Sequence, residues 1–251
     1  MPGQYKSYYD SRSALFNEIR LDQDEDIQKT LDAFVKQVPL ATHSGPVLDV
    51  GCGTGRYSSR LARLGYSMIG MDISDRQLSQ VPAGIQVVCA DAARIPLRNA
   101  CCDSCLMILV LQQIPKEDRL RALNEACRIL VRSGVLVIKT SSHADLRRRQ
   151  FGQFFPSALS VNLARYPDCP VLFELLRKCG FKAIVNFEIQ THRNITVPEL
   201  LRSIEEKHNT TLALIPKSEF NMGIELMRKA LQKSTDIQIR HYHTMVLAKK
   251  D

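Results

Sequence analysis

Five residues, Gly51, Gly53, Gly55, Asp72 and Asp91, have the types and spacing needed to hold a nucleoside. The apolar run Val47-Leu48-Asp49-Val50 enters three alternate glycines, Gly51-Cys52-Gly53-Thr54-Gly55. Without Cβ atoms such a loop can turn tightly, and a ligand can lie against its main chain. The third glycine comes one residue earlier than in the dinucleotide fingerprint, so the loop is not set to seat a pyrophosphate at a helix N-terminus. A second apolar run ends in Asp72-Ile73, 17 residues after Gly55, where a carboxylate can bridge the two hydroxyls of a ribose. A third ends in Asp91-Ala92, a side-chain acceptor and a backbone amide that can read the edge of an adenine. In isolation either aspartate reads first as a helix N-cap or an Asx-turn. Their order and spacing after the glycines favour the binding role.

The elements that must position these groups follow from periodicity. Strand-like apolar runs near 46–50, 67–72, 85–89, 104–110, 134–140 and 182–189 alternate with helical patterns near 25–38, 55–64, 75–80, 117–130 and 168–179. That alternation predicts an α/β fold of βαβ units around a parallel sheet, whose carboxyl edge is where such sheets take ligands. In the 117–130 helix, Leu120, Leu123, Ala126, Cys127 and Leu130 form one apolar stripe that should cover the sheet. Two stretches interrupt the pattern. Residues 141–166 read as a long functional loop, and 196–233 as two further helices before a last strand at 237–248. The chain reads as one domain over 1–251, with an N-terminal helical lid at 1–40 and substrate-cover insertions at 141–166 and 196–233.

Composition narrows the class. The charge of +8 suits an anionic partner, either nucleic acid or an acidic small molecule. The apolar run at 105–111 is too short to span a bilayer, and the N-terminal residues lack the apolar core of a secretory signal, so the expected location is cytoplasmic with no membrane partner. The eight cysteines sit in or beside apolar segments and read as free thiols. Cys102 and Cys105 have the Cys-x-x-Cys spacing but lack a second pair, so no metal site is expected.

Five stretches, Val47–Gly55, Gly70-Met71-Asp72, Cys89-Ala90-Asp91-Ala92, Cys102-Asp103 with Leu111–Ile114, and Ile129–Gly134, together resemble the successive motifs of class I S-adenosylmethionine-dependent methyltransferases. The likeness is close over about residues 46–140. It implies a Rossmann-like, seven-stranded, mostly parallel sheet with helices on both faces and a small helical cover. It also implies S-adenosyl-L-methionine as cofactor, held by Asp49, Gly51, Cys52, Gly53, Gly55, Asp72, Ile73, Asp91, Ala92, Ile108 and Gln113. Where many members carry histidines after the fourth strand, this chain has Gln112-Gln113. Glutamine accepts no proton near neutral pH, so a positioning role is expected there.

Methyl transfer from a sulfonium is an in-line displacement that mainly needs alignment, with a base only for a protonated acceptor. His143, at the end of the fifth strand, is the candidate base, with His192 behind it. Candidate acceptor-binding residues are Tyr5, Tyr9, Gln112, Arg147, Phe155 and Tyr166. The aromatic N-terminal stretch reads either as a lid or as a helix packed outside the core. His241 and His243 share one face of the last strand but lack a third metal ligand. The leading expectation is methylation of an oxygen or nitrogen on a small, anionic molecule. An RNA methyltransferase, and a cofactor-binding relative with altered chemistry, are the other two readings.

Overall fold

The computed structural model describes residues 24–42, 44–206 and 210–251. Tyr5, Tyr9 and the rest of the predicted lid over 1–23 lie outside them. All four residues of β1 (Val47–Val50) are buried, as a strand covered on both faces requires. It pairs in parallel with β2 (Met68–Asp72) and β4 (Cys102–Ile108). β3 (Gln86–Cys89) extends the sheet beyond β2, and β5 (Leu130–Thr140) beyond β4, both in parallel. β7 (Asp236–Lys250) then runs antiparallel between β5 and β6 (Phe181–Thr196), giving the order β3-β2-β1-β4-β5-β7-β6. The sheet is seven-stranded and mostly parallel, with a Rossmann-like arrangement.

Helices α1 (Asp24–Gln37) and α2 (Arg56–Arg63) cover one face. The stripe Ile27, Leu31, Phe34 and Val38, in and just after α1, buries against Val47, Leu106 and Val137. Each such side chain taken out of water contributes about 1.5–3 kcal/mol. On the other face α4 (Arg119–Ile129) and α7 (Cys169–Lys178) pack Leu123, Ala126, Leu172 and Leu176 onto Leu48, Val50 and Met107. The short α3 (Asp75–Leu78) follows β2, its N-cap Ser74 accepting from the Gln77 amide.

Four details differ from the sequence reading. Leu120 is 37% exposed, and Ala122 takes its place on the buried stripe, because α4 is rotated to bring Ala122, Leu123 and Ala126 under the sheet. Leu130 belongs to β5 and not to the helix. β4 stops at Ile108 because Leu109 adopts φ 55 and donates its amide to the Lys139 carbonyl. The 141–166 stretch carries two helices, α5 (His143–Arg147), opened by a Ser142/Asp145 capping box, and α6 (Pro156–Arg165), opened by proline.

The largest extension is in β6, which runs through the polar residues Gln190–Asn194 to Thr196 instead of ending near 189. Its pairing with β7 continues from Ile189↔His243 out to Thr196↔Asp236, past the last β5 pair, Thr140↔Thr244. That projecting hairpin carries α8 (Val197–Glu205) and α9 (Lys217–Leu231). A separate apolar cluster, Phe155, Ile195, Leu200, Leu212, Phe220 and Met227, joins this pair to the α6 segment.

Candidate functional site

Strand order reverses between β1 and β4, and the loops leaving these strands meet at the carboxyl edge of the sheet. Gly51 follows β1 at φ 71, and a Cβ there would stand 2.4 Å from Val110 Cγ2 in the β4 loop. Gly53 has φ 58, and its Cβ would meet Gln77 Oε1 at 2.7 Å. Neither position accepts a side chain without movement. The loop amides turn inward: Gly51 and Cys52 donate to the Met71 carbonyl, Gly55 to that of Cys52, and Gly53 to Asp72 Oδ2 at 2.9 Å. The loop therefore presents main-chain edges and no nest of free N–H groups, which suits a nucleoside without a phosphate.

Asp72 closes β2, its Oδ1 accepting from the Ser74 amide at 2.9 Å. Asp91 accepts from the Ala93 amide at 2.8 Å in the turn after β3. Asp49 is 2% exposed and takes a 2.6 Å hydrogen bond from Ser58 Oγ. Burial, added to by the Asp72 charge, raises its carboxyl to about 7 despite that bond. Cys52 is pushed well upward by burial and the same two carboxylates, so its thiol stays protonated.

These groups open on one cavity of about 580 Å3. Of the residues the sequence singled out, Asp49, Gly51, Cys52, Gly53, Asp72, Ile73, Asp91, Ala92, Ile108, Gln112, Gln113, Phe155 and Tyr166 line it. Gly55 does not, serving instead as the left-handed N-cap of α2. Two further residues that the sequence singled out lie elsewhere. His143 starts α5 outside the cavity lining, its Nε2 within 3.0 Å of the Tyr166 carbonyl and its amide donating to Asp168 Oδ1. Arg147 is exposed and also absent from the lining. The capping box sets α5 so that Leu146 and Arg149 face inward while Arg147 faces solvent.

The methyltransferase-domain family pattern matches residues 48–138. The malonyl-[acyl-carrier protein] O-methyltransferase of Methylovorus sp. (strain MP688) is 30% identical over 191 residues, covering 70% of this chain and 60% of that protein. The tRNA (carboxymethyluridine(34)-5-O)-methyltransferase ALKBH8 of Mus musculus is 33% identical over 108 residues, covering 42% of this chain and 15% of its own. Among solved structures, a protein of Anabaena variabilis assigned as a methyltransferase from an antibiotic biosynthesis pathway superposes with a TM-score of 0.69. It is 19% identical, with 87% of this chain and 96% of that one covered. The chain spans less than two thirds of the length of the first curated relatives it matches. Over residues 48–138 it carries the methyltransferase domain.

The cavity has a second, less regular half. α5, α6, α8 and the projecting hairpin wall it with Leu146, Phe155, Leu159, Leu200, Ile204 and Ile239. Gln112 is 4% exposed and donates to the Leu109 carbonyl at 2.6 Å, while Gln113 Oε1 accepts from Arg165 at 2.6 Å. Both glutamines are thereby held by neighbours in the β4 loop and α6.

The sequence weighed His241 and His243 only as metal ligands and Arg149 only as part of a basic run, yet all three line this cavity. Arg149 lies 5.6 Å from the Tyr166 ring centroid. His241 and His243 stack with their planes 2° apart, and His243 Nδ1 is 3.3 Å from Ser141 Oγ. Burial, reinforced by Lys139, lowers His243 to about 3, and burial lowers His241 as well, so both rings are neutral. Beneath them Lys139 is fully buried in β5 and donates to Asp26 Oδ2 at 2.5 Å. A signal for the lysine by itself was available: Lys139 is a lone charge ending the apolar run Val135–Ile138.

Proposed function

We propose that this methyltransferase transfers the methyl group of S-adenosylmethionine to an oxygen or nitrogen of a small anionic molecule. The carrying observation is that one cavity runs from the carboxylates at the ends of β1, β2 and β3 to Arg149 beneath the helical cover. In this reading the loop Gly51–Gly53 and Ile108 pass along the methionyl part, Asp72 takes the ribose hydroxyls, and Asp91 with Ala92 takes the adenine. Asp72 and Asp91 give that end of the lining carboxylates, joined by Asp49 when it ionises, which suit a cationic sulfonium. Arg149, held near the Tyr166 ring, offers the other end a cation for a carboxylate or phosphate.

When bound, the cofactor supplies a methyl group already activated on sulfur. The chain's own residues then bind, orient and exclude water. Phe155, Tyr166, Leu200 and Ile204 keep the acceptor in an apolar slot, and Gln112 and Gln113, fixed by their own hydrogen bonds, shape the passage between the two ends. No base is assigned to His143, which lies outside the cavity lining, and His243, lowered to about 3, is a poor proton acceptor. An acceptor carboxylate needs none.

The test is incubation with methyl-labelled S-adenosylmethionine and separate pools of carboxylic acids, phenols, amines and bulk tRNA, following label transfer and S-adenosylhomocysteine release. Transfer to a small acid is the expected result. Transfer confined to tRNA replaces this reading with the RNA one, and S-adenosylhomocysteine binding without turnover on any pool replaces it with a cofactor-binding role.

A further inference from the structure

Asp26 stands on α1, lines the cavity, and is 9% exposed. Its Oδ2 accepts from Lys139, whose other N–H groups reach Thr30 Oγ1 at 3.0 Å and Tyr57 Oη at 3.5 Å. Lys139 thus spends its donors inside the wall. Asp26 Oδ1, equally buried, has no hydrogen-bond partner among the described residues. An unpaired buried carboxylate oxygen is costly, and a protein keeps one most readily where a ligand supplies the missing donor. The groups around it do not supply one. Neither His241 nor His243 makes a hydrogen bond to it, His243 Nδ1 lying instead 3.3 Å from Ser141 Oγ, and Arg149 reaches toward Ser141 as well, with Nη2 at 3.4 Å from its hydroxyl.

The charges nearby restrict what can dock. Lys139 balances Asp26, Arg149 leaves the region positive, and a bound sulfonium adds a further positive charge, so a second ammonium is disfavoured. A neutral hydroxyl or N–H meets no such penalty. We propose that Asp26, which lines the cavity together with His241 and His243, receives at its unpaired Oδ1 an O–H or N–H donor of the methyl acceptor, making Asp26 a specificity residue for anionic acceptors that also carry such a donor. This rests on the cavity's being a methyl-transfer site. Lys139 is then a positioning residue, since it fixes the Asp26 carboxylate without reaching the cavity itself.

The test uses the full chain saturated with S-adenosylhomocysteine and two probes of matched shape, 4-hydroxybenzoate and 4-methylbenzoate, followed by ligand-observed NMR. The hydroxyl probe should bind at least about tenfold more tightly, the ratio that one hydrogen bond to a charged group gives. Asp26→Asn should reduce the ratio to about threefold or less while S-adenosylhomocysteine affinity stays the same. Equal binding of the probes, binding of neither, or an unchanged ratio in the variant overturns the proposal. If Asp26→Asn weakens S-adenosylhomocysteine but not 5′-methylthioadenosine, which lacks the amino acid group, Asp26 serves the methionyl ammonium and the acceptor subsite is wrong. Failure of the unaltered chain to bind S-adenosylhomocysteine overturns the parent reading and this one together. Should the variant not fold, the probe ratio on the unaltered chain still decides.

Discussion

Across β3, β2, β1 and β4 the cavity-facing groups stand at or just past strand ends, as Gly51, Asp72, Asp91 and Ile108 do. Across β5, β7 and β6 they come instead from helices between strands, from the middle of β7, and from α1, more than a hundred residues before its Lys139 partner. The first half is organised locally, by glycine conformations and a carboxylate that caps the loop beside it. The second depends on ties between distant segments. The difference teaches why a family keeps one donor-binding geometry while its members present different acceptor walls: the first is written into short stretches, the second into their assembly.

Breaking the longest tie should have the largest effect. Lys139→Met leaves Asp26 as an uncompensated buried carboxylate and should cost about 3–5 kcal/mol in denaturant unfolding, with most of it restored in the Asp26→Leu/Lys139→Met double variant. Full cost in the double variant would mean that packing, and not charge, makes the tie. Gly51→Ala attacks the local half. Its φ of 71 and the overlap with Val110 should destabilise the fold by about 2–4 kcal/mol and depress S-adenosylhomocysteine binding in calorimetry. Asp72→Ala should weaken the same binding by about 1.5–3 kcal/mol, and unchanged affinity would remove the ribose role from Asp72.

Asp49 sharpens the comparison through pH. Its carboxyl is raised from 3.8 to about 7, so its contribution to the stability of the unliganded chain falls as pH rises from 3.8 to about 7. A cationic ligand favours the ionised form, so binding should release a proton and weaken by up to about tenfold per unit below pH 7. Calorimetry at pH 6.5 in phosphate and in Tris should give different heats, and identical heats would show that Asp49 does not titrate with binding. The smallest effect belongs to Arg147→Ala, which should shift stability and S-adenosylhomocysteine affinity by no more than about 0.5 kcal/mol.

The same contrast explains what could be read in advance. The order of β1 to β5, the glycine loop and the two aspartates were legible because each is set by neighbours within a few residues. β6 was underestimated because its outer half is polar, and a strand paired outside the core need not look apolar. His143 drew attention as a histidine at a strand end, but α5 begins there and uses it at the helix start, a role set by the Ser142/Asp145 box four residues wide. Asp26 and Lys139 were invisible as a pair because nothing in either stretch points to the other. Only the sheet brings them together.

The projecting part of the β6/β7 hairpin makes its share of the cavity wall a graftable unit. Cuts just beyond the Glu188↔Thr244 pair fall past the last β5 pair, Thr140↔Thr244, so the outer hairpin with α8 and α9 could be exchanged between relatives without disturbing any parallel strand. Chimeras cut there would exchange Leu200, Ile204 and Ile239 of the lining while Leu146, Phe155 and Tyr166 stay with the parent sheet.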